Sequence, residues 1–314
     1  GVTTEREQRT KEAPAEAAPA APMPPLNAIT PHNIFHHALF KRNGFMNNSH
    51  SAPKGARTPW QVTRSVWYAM FMREAISRTM ADRMGWFWMV FEPVALIAIM
   101  ALIRSFVSGD QLIANAPFIP WMITGMLGFF LVRDGMLRGM GAIQGNSSLF
   151  AYRQVQPVDP VLVRNFLEGV LRTFVFLLFI LGGLMLEVDL YPDNAVRAMG
   201  GWLSLWFLGL GLGLLSSVSA TLIPEVGKVI AMVSLPLLII SGVIFPINQM
   251  PHWLLEYLML NPIPHGLEVL RLGFFENYKV IHGTSMVYFW LVTLSLNALG
   301  LLMHLRFVDR LKAK

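Results

Sequence analysis

Two groups of ionisable residues in this sequence have a spacing that could do chemistry. Arg164, Glu168 and Arg172 follow one another at intervals of four, which puts them on one helix face where neighbours can pair in sign. Asn261, His265, Glu268 and Arg271 come at intervals of four and three and can share one helical side in the same way. A charged stripe next to an apolar run is either an ion pathway or an ion network turned to protein or cytoplasm. A pathway would continue deeper into the run, so a structural or subunit-facing network is the expectation. His32, His36 and His37 could suggest a metal site. No carboxylate stands at matching spacing, and solvated or locally packed histidines are expected instead. No GxxxxGK[ST], HExxH, GxSxG or DFG pattern occurs. With no cysteine, thiolate nucleophiles, disulfides and Cys-based metal sites drop out together. No catalytic residue, metal or cofactor is expected on this chain.

The elements that must position these residues are apolar helices. Hydrophobic residues make up 54% of the 314 and charged ones only 14%, where soluble domains carry about a quarter. Mean hydropathy is +0.48. Lipid as solvent accounts for that surplus of apolar surface. The net charge of +6 is what basic residues in short cytoplasmic loops produce, so it does not call for a nucleic-acid partner.

Residues 1–59 are rich in Pro and Ala, beginning GVTTEREQRTKEAPAEAAPAAPMPP. Such a segment cannot build a core and is expected to be a disordered cytoplasmic extension, with one short helix near 34–40. From 60 to 84 the pattern changes. Val62, Val66, Ala69, Met70, Ile76, Met80 and Met84 recur on one side of a helical period, with Arg64, Glu74, Arg78 and Asp82 on the other. Trp67 and Phe71 lie toward the polar side, and Arg73 points into the apolar face. This predicts an amphipathic helix lying in the membrane interface, with Arg73 reaching headgroups or a partner. The alternative is an ordinary amphipathic helix packed on protein.

Residues 85–314 then predict six transmembrane helices: 85–103, 118–132, 161–186, 198–222, 229–245 and 285–307. Glu92 and Pro93 interrupt the first, so Glu92 must lie near the boundary or face protein. The stretch from Arg133 to Arg164 holds four arginines against two aspartates, which predicts a cytoplasmic connector. EVDLYPDNAVR at 187–197 has three acids and one base and fits the outer side, and both termini return to the cytoplasm. GLGLGLL at 209–215 permits close helix packing and is no phosphate loop, since no Lys-Ser/Thr follows. Residues 247–284, broken by Pro251, Pro262 and Pro264, predict two short helices that dip into or lie on the outer leaflet.

No internal repeat and no paired half-helices suggest coupling to Na+ or H+. A transporter of this kind borrows energy from a partner, and residues 144–159 are where a partner could push. A membrane-embedded glycan or lipid transferase is the runner-up class, although the two wide basic loops for its donor are missing. A non-transporting assembly or anchor subunit stands third.

Three stretches carry a family resemblance: GWFWMVFEPV (85–94), GAIQGNSSLFAYRQVQPVDPVLVR (141–164) and NPIPHGLEVLRLGFF (261–275). With them, residues 62–306 resemble the membrane-spanning subunit of ABC-2 type exporters, and most closely the capsular polysaccharide export permeases of Gram-negative bacteria. The resemblance implies a permease for lipid-linked acidic polysaccharide in the inner membrane, working as a homodimer with a channel at the dimer interface. Exporters of O-antigen, teichoic acid or another glycolipid are the alternatives within the class. It implies two partner ATPase subunits that bind ATP and Mg, a periplasmic copolymerase-type adaptor and an outer-membrane export channel. On this basis Ser147, Leu149, Phe150, Tyr152 and Arg153 would form the ATPase-coupling segment. Arg73, Glu92, Arg164, Arg172 and Glu225 would stand at the cytoplasmic gate or dimer seam. Trp86, Trp88, Trp121 and Phe129 would contact glycan, and Asn261, His265, Glu268 and Arg271 would shape the outer exit. The long N-terminal extension departs from the family.

Overall fold

The computed structural model describes residues 58–81, 83–107 and 112–313. The 1–59 extension, apart from its last two residues, lies outside them, as do the helix near 34–40, the three N-terminal histidines and Asp82. Among the described residues every regular element is helical, and an isolated bridge, Ile113–Ala116, is all there is of β pairing.

Helix α1 is Pro59–Ile76. Thr58 caps it with a reciprocal box: its hydroxyl accepts from the Gln61 N–H, and Gln61 Oε1 accepts from the Thr58 N–H at 3.1 Å. A π-helical turn, Ser77–Ala81, leads into α2, Arg83–Val107. Then come α3, Phe118–Met140, a 3-10 helix at Gln144–Ala151, and α4, Val158–Met185. Helix α5 is Ala195–Leu222 and α6 is Pro224–Ile240. The short α7, His252–Leu258, and α8, Pro262–Phe274, precede α9, Met286–Arg306, and α10, Val308–Lys312.

Four of these, α2, α4, α5 and α9, are long and apolar enough to cross a membrane. Helix α3 carries Arg133, Asp134 and Arg138, and α6 has 17 residues, so neither qualifies on length and composition alone. Helix α5 is the hub: its apolar window is 61% buried, against 17% for α2 and α9. Glycine makes that possible. Gly135 and Gly139 of α3 sit against Gly209 and Gly213 of α5, and a Cβ on Gly139 would stand 2.8 Å from the Gly213 Cα. The glycine-rich run is therefore a backbone-to-backbone seam. Helix α8 is wedged against α5 by the same means, since a Cβ on Gly201 would lie 2.8 Å from the Leu270 Cα.

Several boundaries differ from expectation. The connector does not begin at Arg133. Helix α3 runs two turns further, because Arg133 and Asp134 find partners on neighbouring helices and need no water. The polar turn at 224–228 is the first turn of α6, joined to α5 through Ile223 alone; Pro224 starts that helix where a missing N–H costs nothing. Helix α8 does not lie on a surface, as ten of its thirteen residues are buried.

The faces of α1 and of the π turn that follows it also differ. Val62, Val66, Trp67, Met70, Phe71, Glu74, Ala75 and Arg78 turn toward the protein, while Tyr68, Met72, Ile76 and Met80 are exposed. Glu74 and Arg78, assigned to the outward polar side, point inward. Arg164 and Glu168 of α4 meet them there, and these pairings outweigh the simple amphipathic pattern.

Candidate functional site

One cluster of candidate residues, the one expected on the inner side, is built around the 3-10 helix at 144–151. Phe150 is its anchor: with Ala142, Ile143 and Val155 it belongs to an apolar cluster that includes Met70 of α1, Val161 of α4, Leu214 and Val218 of α5, and Leu311 of α10. Above the anchor Ser147, Tyr152 and Arg153 are exposed and Leu149 is half-buried. Among the five coupling candidates, Phe150 thus faces its own chain. Three polar clamps fasten this platform to α1. Arg73 donates to Asn146 Oδ1, whose amide Nδ2 donates to the Ala142 carbonyl at 2.8 Å. Arg164 Nε donates to Glu74 at 2.8 Å. The Trp67 indole donates to Asp159 at 2.8 Å, and Asp159 also accepts from the Gln156 N–H.

Deeper in the same half runs an ion seam. Arg78 pairs with Glu168, and Glu168 stands 3.5 Å from Arg172. Arg172 pairs with Asp134, Asp134 lies 3.4 Å from Arg133, and Arg133 reaches Glu92 at 2.9 Å. Three cations alternate with three acids across the π turn, α2, α3 and α4. Phe130 lies beneath the Arg133 and Arg172 guanidiniums, 4.8 and 5.4 Å from its centroid. The Arg164/Glu168/Arg172 stripe does share a face, but it divides: Arg164 belongs to the α1 clamp and the other two to the seam. Glu92 faces protein. Glu225 is exposed on α6 and joins no ion pair among the described residues.

Sequence reasoning did not single out Arg78, Arg133 or Asp134 as site residues. Their signal was the unpaired acid in an apolar run, since Glu92 needed a cation from another helix.

The group expected on the outer side, Asn261 to Arg271, forms a second, closed cluster. Glu268 Oε1 accepts from Tyr278 Oη at 3.0 Å and from Arg271 at 3.1 Å, and Oε2 accepts from the Ile281 N–H at 3.0 Å. Arg271 also donates to the Gly242 carbonyl and lies over the Trp121 ring, 3.8 Å from its centroid. Trp121 in turn donates to Tyr278 Oη at 3.0 Å. Burial raises the Tyr278 phenol above its ordinary range, which keeps it a donor. His265 Nδ1 accepts from the Ser285 N–H, and its Nε2 meets the Met259 carbonyl. Asn261 caps α8 and donates to Ser241. Glu268 and Arg271 are 0% and 1% exposed, so their polar atoms serve the chain's own fold.

Of the aromatic candidates, Trp121 and Phe129 are fully buried. Trp86 meets Phe174 edge-on, and Trp88 is exposed beside Phe87 and Phe91, which stack at 5.0 Å. Among the described residues no cluster of three or more metal-ligating side chains is gathered.

Long apolar helices with an internally anchored connector are the build of a multi-pass membrane protein. A family model described as ABC-2 type transporter matches residues 65–275, and the chain belongs to that family. It is 30% identical to the polysialic acid transport protein KpsM of Escherichia coli over 249 residues, 79% of this chain and 96% of that one. It is 28% identical to the capsule polysaccharide export inner-membrane protein CtrC of Neisseria meningitidis serogroup B, over 78% of this chain and 92% of that protein. With BexB of Haemophilus influenzae, a protein of the same description, identity is 27% over 75% and 88%.

Proposed function

We propose that this chain is the permease half of an ATP-driven exporter, moving lipid-linked acidic capsular polysaccharide across the inner membrane. Two copies form the channel between them. Helices α2, α3, α4, α5, α6 and α9 are its six spans, α1 lies at the cytoplasmic interface, and both termini are cytoplasmic. Two separate ATPase subunits bind ATP and Mg, and a periplasmic adaptor and an outer-membrane channel carry the polymer onward.

One observation carries this reading: the 144–151 segment is exposed on one side and clamped on the other. A partner can grip Ser147, Tyr152 and Arg153, where an exposed aromatic and an arginine suit an interface hot spot. Any push there passes through Asn146–Arg73 and Arg164–Glu74 to α1, and through the Phe150 cluster to α4 and α5. Phe150 stiffens the lever and Leu149 forms its rim. The seam next to it, with Glu92 and Arg172, is the gate, and the exposed Glu225 lies free for a second copy. Trp86 and Trp88 offer ring faces to sugar, the buried Trp121 and Phe129 pack the interior, and the Asn261–Arg271 cluster holds the outer exit in shape.

Reconstitution in proteoliposomes with an ATPase encoded beside it tests this. ATP-dependent glycan movement that Tyr152→Ala plus Arg153→Ala abolishes is the expected result. Product formation without any ATPase would make the chain a transferase, and binding without transport or product would make it an anchor.

A further inference from the structure

Outside the seam and the connector lies a groove that no transport role has used. It opens between α1 and the α4–α5 pair and encloses about 840 Å3, within the ~300–1,000 Å3 of ordinary ligand sites. Its floor is aromatic: Phe166 stacks on Trp206 with centroids 5.7 Å apart, and Phe71 closes on Phe166 at 5.9 Å. Leu162, Leu203 and Leu210 extend it along α4 and α5. Gly169 lets the Trp206 indole lie flat against α4, because any Cβ there would collide with the ring.

The rim is different in kind. Trp60, Arg64 and Tyr68 recur every four residues along one edge of α1 and all three line the opening. Trp60 and Tyr68 are 67% and 66% exposed. Arg64 is exposed, is the one charged residue lining the groove, and joins no ion pair or side-chain hydrogen bond among the described residues. No acid lines it. The other strongly polar lining residue, Asn165, accepts from the Trp206 indole at 3.0 Å.

We infer that this groove binds an anionic phospholipid of the bilayer, with an acyl chain along the Phe166–Trp206 floor and the phosphate on Arg64. An apolar trough would leave its aromatic floor wet if it stood empty. A cation without an ion-pair partner among the described residues selects a negative head over a zwitterionic one. Trp and Tyr on either side of that cation suit the boundary between hydrocarbon and headgroup. A protein segment seated here would have to bring a carboxylate to Arg64 and an apolar face to the floor, and so is the competing occupant. The site is independent of transport, since it requires only that α1, α4 and α5 meet a bilayer.

Photolabelling tests this on the full-length protein with whatever subunits copurify, in nanodiscs of phosphatidylcholine. A trace phosphatidylglycerol probe carries a diazirine at the end of one acyl chain, and the same diazirine on phosphatidylcholine is the control. Expected labelling concentrates on residues 162–166 and 203–210, with phosphatidylglycerol favoured about fivefold, the effect of one basic side chain near an anionic head. Arg64→Gln should bring that preference to about one without loss of melting temperature. Leu203→Trp, which fills the trough, should lower labelling by both probes. Even labelling along all apolar helices, a headgroup-blind signal, displacement by the exported glycolipid, or shielding by a copurified polypeptide would each overturn the proposal. Labelling reads no transport, so its failure leaves the exporter proposal standing, and failed transport leaves the lipid site standing.

Discussion

The two buried ionic groups of this molecule use the same chemistry and differ in layout. The outer one is compact. Glu268 has both oxygens occupied, and Arg271 is shared between Glu268, the Gly242 carbonyl and the Trp121 face. The inner one is a string in which the four internal charges each have two oppositely charged neighbours, one on the same helix and one on another element. Removing one partner from a closed, dry pair leaves an uncompensated charge. Removing one from a string leaves its neighbours another partner. The outer group therefore acts as a lock, and the inner one as a seam whose pairs can exchange when helices slide.

Four experiments can break or sharpen that contrast. Glu268→Ala should lower the unfolding free energy by about 3–5 kcal/mol, read as thermal or denaturant unfolding of the purified chain. Glu268→Ala combined with Arg271→Ala should cost well under the sum. Arg172→Ala should cost less, roughly 2 kcal/mol, because Glu168 keeps Arg78 and Asp134 keeps Arg133. A loss equal to that of Glu268→Ala would erase the distinction between lock and seam. A double-mutant cycle on Glu74 and Arg164, whose side chains are 17% and 19% exposed, should give a coupling of about 1 kcal/mol or less. Exchanging their charges should recover most of it. Tyr152→Ala and Arg153→Ala should change stability by no more than about 0.5 kcal/mol while uncoupling ATP hydrolysis. Phe150→Ala cannot serve as that test, since it empties the cluster under the connector.

How much was legible follows from range. Apolar runs and their flanking caps are local, so the four long apolar helices α2, α4, α5 and α9 stand close to where hydropathy put them. The spacing of Arg164, Glu168 and Arg172 was correctly read as one face, yet its division between Glu74 and Asp134 was not. Asp134 lies 38 residues from Arg172 and Glu74 lies 90 from Arg164, and no local period reports them. For α1 the period itself misled: Glu74 and Arg78 look like a solvated face until Arg164 and Glu168 are set opposite.

The amino-acid sequence by itself determined that the chain is a set of lipid-compatible helices, where breaks fall and where glycine permits close approach. These depend on transfer of side chains from water and on backbone sterics, which act over a turn or two. Only the tertiary structure decided which charges neutralise each other, that Phe150 and Trp121 face inward, and that a trough opens beneath Arg64. Electrostatic pairing and burial are set by what lies across the interface, and in this chain that neighbour often comes from some forty to more than a hundred residues away.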